Sequence, residues 1–291
     1  MAYDLVNLGN VIVSGVLTGL VYGLLALGLS VIFGVARVVN FAHGEVTVVA
    51  MYAAVILFEV LHLDPFLAVV PVTVAFFTFG YVLQALVINP FITRPEHSQF
   101  MMLLAIAVVL TNVSLMSFGP DARGVQLDYL LQSIELGPLL VDRGKLYAGM
   151  FSVAAAVMLF AFFRFTFTGK AIRACADNWL GARIVGLPVS RLYALAFGLG
   201  TACAAVAGCM MTVLVDTTPG AGPAFTLLAF IVVIVGGLGS MTGALLGGVL
   251  IGVSEALAGL VIMPSAKSMF SFALMILVLL FRPRGLLGDN R

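Results

Sequence analysis

Charge is the scarcest commodity in this chain. Only 9% of its 291 residues are Asp, Glu, Lys or Arg, against 62% that are hydrophobic. Soluble domains carry roughly 25% charged residues, so this chain cannot cover a water-facing surface. The balance is near neutral, a formal +1, and offers no field for nucleic acid. Cysteine is nearly missing too: Cys175, Cys203 and Cys209 share no metal-ligand spacing with any histidine and read as small packing residues. Only three histidines occur, His43, His62 and His97, and none forms HExxH. "TFTGKA" holds Gly169-Lys170 but has Arg164 five residues before Gly169 and Ala171 after Lys170, so it is no phosphate-binding loop. No Lys or Arg precedes Arg37, so no cleaved signal peptide is expected. Ser240 in "GLGSM" has neither a following glycine nor a later histidine, which argues against a rhomboid-like protease.

What the chain does have is long apolar runs. They are Val11–Val35, Val46–Leu61, Phe66–Ile88, Met101–Phe118, Leu146–Phe163, Leu192–Val215, Ala224–Leu238, Ala244–Leu260 and Ser268–Phe281. A spanning helix needs about 20 residues, so the count is nine spans, or eight with a re-entrant or broken segment. The runs are unbroken rather than alternating, so strands are not indicated. The expected fold is an all-α integral membrane protein, a polytopic bundle of eight or nine segments forming one domain over residues 1–291.

Loop charge gives sidedness. The connector from Arg164 to Arg191 carries five basic residues against Asp177 alone. The tail adds Arg282, Arg284 and Arg291 on the same side. Both are expected in the cytoplasm, with Gly119–Lys145 and Asp216–Pro223 outside. In that arrangement ten of the fourteen Lys and Arg residues lie inside, Arg37 among them.

Small residues recur at helical spacing. Gly15, Gly19 and Gly23 form one stripe; Gly239, Gly243 and Gly247 form another, followed by Gly248 and Gly252; Gly200, Ala204 and Gly208 form a third. Such stripes let helices pack closely in lipid, either as fixed seams or as sliding surfaces.

Polar groups inside apolar runs are costly and face a bundle interior, a cavity or a partner. "RVVNFAHGE" (Arg37–Glu45) gathers Asn40, His43 and Glu45, with Gly44 permitting a break. It reads as pathway lining at a discontinuous helix, as a solvated inner loop, or as a subunit contact. Glu255 in "VLIGVSEALAGLV" is either pathway-facing or interfacial, and Glu59 reads as interfacial. No metal pair is expected from His43 and Glu45.

Four stretches resemble one family. "GLLALGLSVIFGVARVVNFAHGE", "GKAIRACADNWLGARIVGLPVSRLYALAFGLGTACAAVAG", "GGLGSMTGALLGG" and "LLFRPRGLLG" are similar, in order, to signatures of ABC permease subunits for branched-chain amino acids. The resemblance covers nearly the whole chain. It implies a permease in a bacterial inner membrane with a cytoplasmic C-terminus. It also implies a second, paralogous permease subunit, two cytoplasmic ATPases that hydrolyse ATP in its stead, and a periplasmic binding protein; no cofactor sits on this chain. Residues 164–191 would form the coupling loop. Within it "ADNWLGARIVGL" (Ala176–Leu187) resembles the short helix that docks on the ATPase, involving Arg173, Asp177, Trp179, Leu180, Arg183, Ile184 and Gly186. Gly186 and Pro188 would end that helix. A urea or short-amide permease of the same family, an intramembrane enzyme built on His43 and Glu45, and an autonomous channel are the competing readings.

Overall fold

The computed structural model describes residues 2–92, 94–127, 129–130, 132–261 and 267–288. Eleven helices follow in order among them: α1 Ala2–Ala36, α2 His43–Leu61, α3 Pro65–Leu83, α4 Glu96–Phe118, α5 Arg143–Phe165, α6 Phe167–Asp177, α7 Trp179–Ile184, α8 Val189–Leu214, α9 Gly222–Gly236, α10 Met241–Val261 and α11 Lys267–Phe281. Eight helical segments are long and apolar enough to cross a membrane, and Ser268–Phe281 is a shorter apolar one. Among the described residues the chain is therefore a multi-pass membrane bundle with eight such segments and one shorter one.

The loop between α4 and α5 departs from the sequence expectation. It contains a two-stranded antiparallel hairpin, β1 Ser133–Leu136 and β2 Leu139–Asp142, joined through Gly137 at φ 64°. "SIEL" and "LLVD" flank a two-residue Gly-Pro turn, which favours a hairpin over a helix.

The core is built on α1 and α8. Buried residues run along α8 from Leu192 to Thr212. α1 packs antiparallel on α10 through glycines: a Cβ on Gly19 would lie 2.7 Å from the Gly248 carbonyl oxygen, and one on Gly252 would lie 2.4 Å from that of Gly15. Gly23 approaches Leu245 in the same seam. Gly243 and Gly247 instead face α9, at Gly236 and Val232. The expected stripes are thus packing seams, with α10 meeting two partners on two of its faces. α3, α4 and α5 turn large apolar side chains outward, among them Leu67, Val74, Val109, Met116 and Met158, as lipid-facing helices do.

The two ends of the bundle differ. Asn10 and Ser14 near the start of α1 bind the Leu140 N–H and Lys145 Nζ. Glu59 at the end of α2 pairs with Arg123 at 3.3 Å. This end holds the hairpin. At the other end, Leu286 and Leu287 donate to the Val235 and Gly236 carbonyls, Gly34 lies against Gly239, and Arg37 shares a cavity wall with Arg183. The basic connector and the C-terminal segment therefore lie at one end.

Candidate functional site

α1 serves as a ruler for depth. The His43 ring binds the Leu25 carbonyl oxygen through Nε2 at 2.9 Å. Leu25 lies eleven residues before Ala36, the end of α1, which is roughly 16 Å at the helical rise. The non-helical residues 37–42 must therefore climb back along α1 before α2 starts. Asn40, His43 and Glu45 are all buried, so this stretch is no solvated loop. Arg37 begins the climb in a left-handed conformation, φ 56°, which few non-glycine residues adopt. Irregular backbone at such depth persists only where protein surrounds it or a cavity takes it up. Part of it is satisfied internally: Asn40 Oδ1 accepts from the Ala42 N–H at 3.1 Å, and the Thr47 hydroxyl donates to the His43 carbonyl. Asn40 Nδ2 and His43 Nδ1 carry no hydrogen bond among the described residues despite full burial.

A second chain segment reaches the same depth from the opposite end. After α8, Thr217 pairs with Arg123 near the hairpin end, and the chain then turns inward to start α9 at Gly222-Pro223. Proline in the first turn suits a helix start, where its missing N–H costs nothing. The first turn of α9 abuts the first turn of α2. The Gly44 N–H donates to Thr226 Oγ1 at 2.8 Å, and that hydroxyl donates its own proton to Glu45 Oε2 at 3.1 Å. The two backbones nearly touch: a Cβ on Gly44 would lie 2.0 Å from the Gly222 carbonyl oxygen, and one on Gly222 would lie 2.8 Å from Glu45 Cγ. Only glycine fits at position 44, and a side chain at 222 would have to displace Glu45.

Two helix N-termini thus meet at mid-depth, each carrying about half a positive charge, with the Glu45 carboxylate between them. α2 runs from this point toward the hairpin end and α9 toward the basic end. Phe41, in the climbing segment, packs edge-on against Phe100 of α4 and beside Phe230 of α9. The junction combines a carboxylate, two positive helix ends and aromatic walls.

Glu255 lies elsewhere. Its Oε1 accepts from the Ser271 hydroxyl at 2.6 Å. It lines a separate cavity of about 510 Å³ with Tyr22, Ser14 and Lys145 at the hairpin end. Gly15 packs against Val253 and Ala256, which sets Glu255 about ten residues of α1, ~15 Å, from Leu25. The structure groups Asn40, His43 and Glu45 and separates Glu255 from them. It also brings in Thr226, Gly222 and the Leu25 carbonyl, which the sequence reading missed. The signal was present for Thr226: it is a hydroxyl three residues after a Gly-Pro helix start, in an otherwise apolar run.

The connector 164–191 folds as two short helices. Thr166 Oγ1 caps α6 at the Gly169 N–H, and Asn178 Oδ1 caps α7 at the Gly181 N–H, 2.8 Å away. Gly186, at φ 87°, terminates α7 while Leu187 donates back to the Ala182 carbonyl. Ala182 packs inward, whereas Leu180, Ile184 and Val185 stand exposed, Ile184 at 80% and Val185 at 81%. Arg173, Asp177 and Arg183 are exposed as well.

The family model for the permease component of branched-chain amino acid transport systems matches residues 11–279. The high-affinity branched-chain amino acid transport system permease protein LivH of Escherichia coli K12 is 29% identical over 289 residues, 94% of each chain. BraD of Pseudomonas aeruginosa, of the same description, is 29% identical over 293 residues, covering 95% of this chain and 94% of its own. The probable branched-chain amino acid transport permease protein LivH of Methanocaldococcus jannaschii is 27% identical over 278 residues, 91% of this chain and 88% of its own. Among solved structures, PsaBC from Streptococcus pneumoniae in complex with Fab aligns with a TM-score of 0.51 at 14% identity, over 93% of this chain and 91% of that one; this likeness concerns the fold. With its motifs in order and nearly its whole length matched, the chain belongs to the family of permease components of branched-chain amino acid transport systems.

Proposed function

We propose that this chain is the membrane-spanning subunit of an ATP-driven, binding-protein-dependent importer of leucine, isoleucine and valine. The observation that carries the reading is the meeting of α2 and α9 at Glu45 and Thr226. Discontinuous helices at mid-depth are how transporters present charge to a substrate without exposing backbone to lipid. A branched-chain amino acid is a zwitterion with an aliphatic tail. The helix ends suit its carboxylate, Glu45 its ammonium, and the Phe41–Phe230 wall its side chain. The orphan atoms of Asn40 and His43 support the same reading, since an unpaired buried polar group costs about 1–3 kcal/mol and persists where it has a use. Glu255 and its cavity stand at the entrance on the hairpin side.

The basic end faces the cytoplasm of a bacterial inner membrane, by the positive-inside rule. There the exposed Leu180, Ile184 and Val185 dock on an ATPase, beside Arg173 and Asp177, and Gly186 sets the angle of the helix. Two such ATPases carry the nucleotide chemistry. A paralogous permease completes the pathway and a periplasmic binding protein delivers the substrate. ATP-driven closure of the motors moves α7, and the movement rocks α1 and α2 between inward and outward states.

The test is uptake of labelled leucine by proteoliposomes of the assembled complex carrying Glu45→Gln. Uptake should fall at least tenfold while substrate-independent ATP hydrolysis persists. Unlabelled isoleucine and valine should compete; competition by urea or acetamide in their place would redirect the substrate assignment.

A further inference from the structure

A cavity of about 700 Å³ lies between α7, the start of α8, the end of the α3 segment and the start of the climbing segment. Among the described residues Arg37 and Arg183 both line it, and no Asp or Glu does. Neither guanidinium forms an ion pair among the described residues. Trp179 and Tyr193 add two aromatic walls with polar tips. We infer that this cavity holds the phosphate headgroup of an anionic phospholipid, clamped between Arg37 and Arg183. The inference rests on the cytoplasmic placement of the basic end.

Three observations favour a lipid over a soluble partner. First, Ala36 ends α1, the longest helix, and lies in the cavity wall, so the cavity sits at the membrane boundary. Basic pockets between helices on that side recognise lipid headgroups, and Trp and Tyr concentrate at the same level. Second, Asn89 and Ile92 in the wall belong to the end of a segment whose Leu86 is 71% exposed and whose Phe91 is also exposed. That surface is apolar and outward-facing, as one that meets acyl chains must be. Third, α7 divides its faces. Trp179 and Arg183, one turn apart, line the cavity, whereas Leu180 and Ile184 do not. The face offered to a motor protein is therefore a different one. A headgroup here bridges the coupling segment to Arg37, the strained residue from which the climb to the α2–α9 junction begins.

The test uses the assembled, delipidated complex in native mass spectrometry. Phosphatidylglycerol is titrated against phosphatidylcholine. Wild type should retain phosphatidylglycerol in preference. Arg37→Gln with Arg183→Gln should weaken retention about 30-fold, at about 1 kcal/mol per arginine. Equal retention of the two lipids by wild type, or unchanged retention by the double variant, overturns the proposal. So does displacement of the lipid by millimolar inorganic phosphate, which would mark a soluble-anion site. A photoreactive phosphatidylglycerol on the wild-type complex decides independently of the variant's assembly. Crosslinks should fall on peptides spanning 179–193, and crosslinks confined to other segments refute the site. No readout involves transport, so failure here is separable from failure of the importer reading.

Discussion

Replacing Gly44 with alanine adds one methyl group where α2 and α9 meet. That carbon would lie 2.0 Å from the Gly222 carbonyl oxygen, 2.3 Å from the Thr226 nitrogen and 2.6 Å from Thr226 Oγ1. Ordinary contact begins near 3.4 Å, so the helices must part by more than an ångström, against backbone that cannot swing aside. Overpacking of this kind costs about 1–3 kcal/mol, occasionally more. Parting the helices also lengthens the 2.8 Å bond from the Gly44 N–H to Thr226, a further ~1 kcal/mol. Alanine returns at most about 1 kcal/mol through helix propensity. The balance is a loss of about 1–3 kcal/mol, enough for a fall in transport of about fivefold to 150-fold. The assay is labelled leucine uptake in cells expressing the whole system, normalised to permease abundance in the membrane, with thermal unfolding of the purified complex alongside. Gly34→Ala is the control, because its Cβ would meet Gly239 at an unstrained 3.5 Å. Uptake by Gly44→Ala within twofold of wild type, at equal abundance and unfolding temperature, refutes the close junction.

Thr226→Val keeps the shape of residue 226 but leaves the buried Gly44 N–H and Glu45 without their shared partner; uptake should drop about tenfold, whereas Thr226→Ser, which keeps the hydroxyl, should stay near wild type. Ile184→Asp places a charge on the exposed face of α7; substrate-stimulated ATP hydrolysis by the reconstituted complex should fall at least tenfold, with membrane insertion unchanged by immunoblot. Sidedness has a clean background for labelling, because Cys175, Cys203 and Cys209 are all buried. A membrane-impermeant maleimide applied to intact spheroplasts should label Asp121→Cys and not Val185→Cys, and the reverse pattern would invert the orientation.

Most of the bundle was legible because burial in lipid demands unbroken apolar runs, and these map onto the helices. Legibility failed where depth mattered. Hydropathy placed the second run at Val46, whereas the helix starts at His43, since a histidine bonded to the Leu25 carbonyl is compatible with a buried helix start. Run length does not say that α2 and α9 begin at mid-depth; that is fixed by contacts between residues about 180 apart in sequence, such as Gly44 with Thr226. Asn40, His43 and Glu45 belong together because they are neighbours in sequence. Glu255 lies more than 200 residues further along the chain, and the α1–α10 glycine seam holds it at another level. The hairpin at Ser133–Asp142 was readable from its alternation and Gly-Pro turn, but eight residues of strand disappear beside nine long runs. In the connector, the helix Trp179–Ile184 leaves Leu180 and Ile184 exposed.

Two helices whose N-termini meet at Glu45 are proposed to conduct amino acids only when an external motor drives them. The decisive measurement is leucine accumulation in proteoliposomes holding both permeases, the ATPases and the binding protein, with ATP or a non-hydrolysable analogue. Accumulation against a gradient is expected with ATP, none with the analogue, and none with ATP when Glu45 is replaced by alanine. Equal leucine entry through this chain alone, without nucleotide, would contradict this expectation.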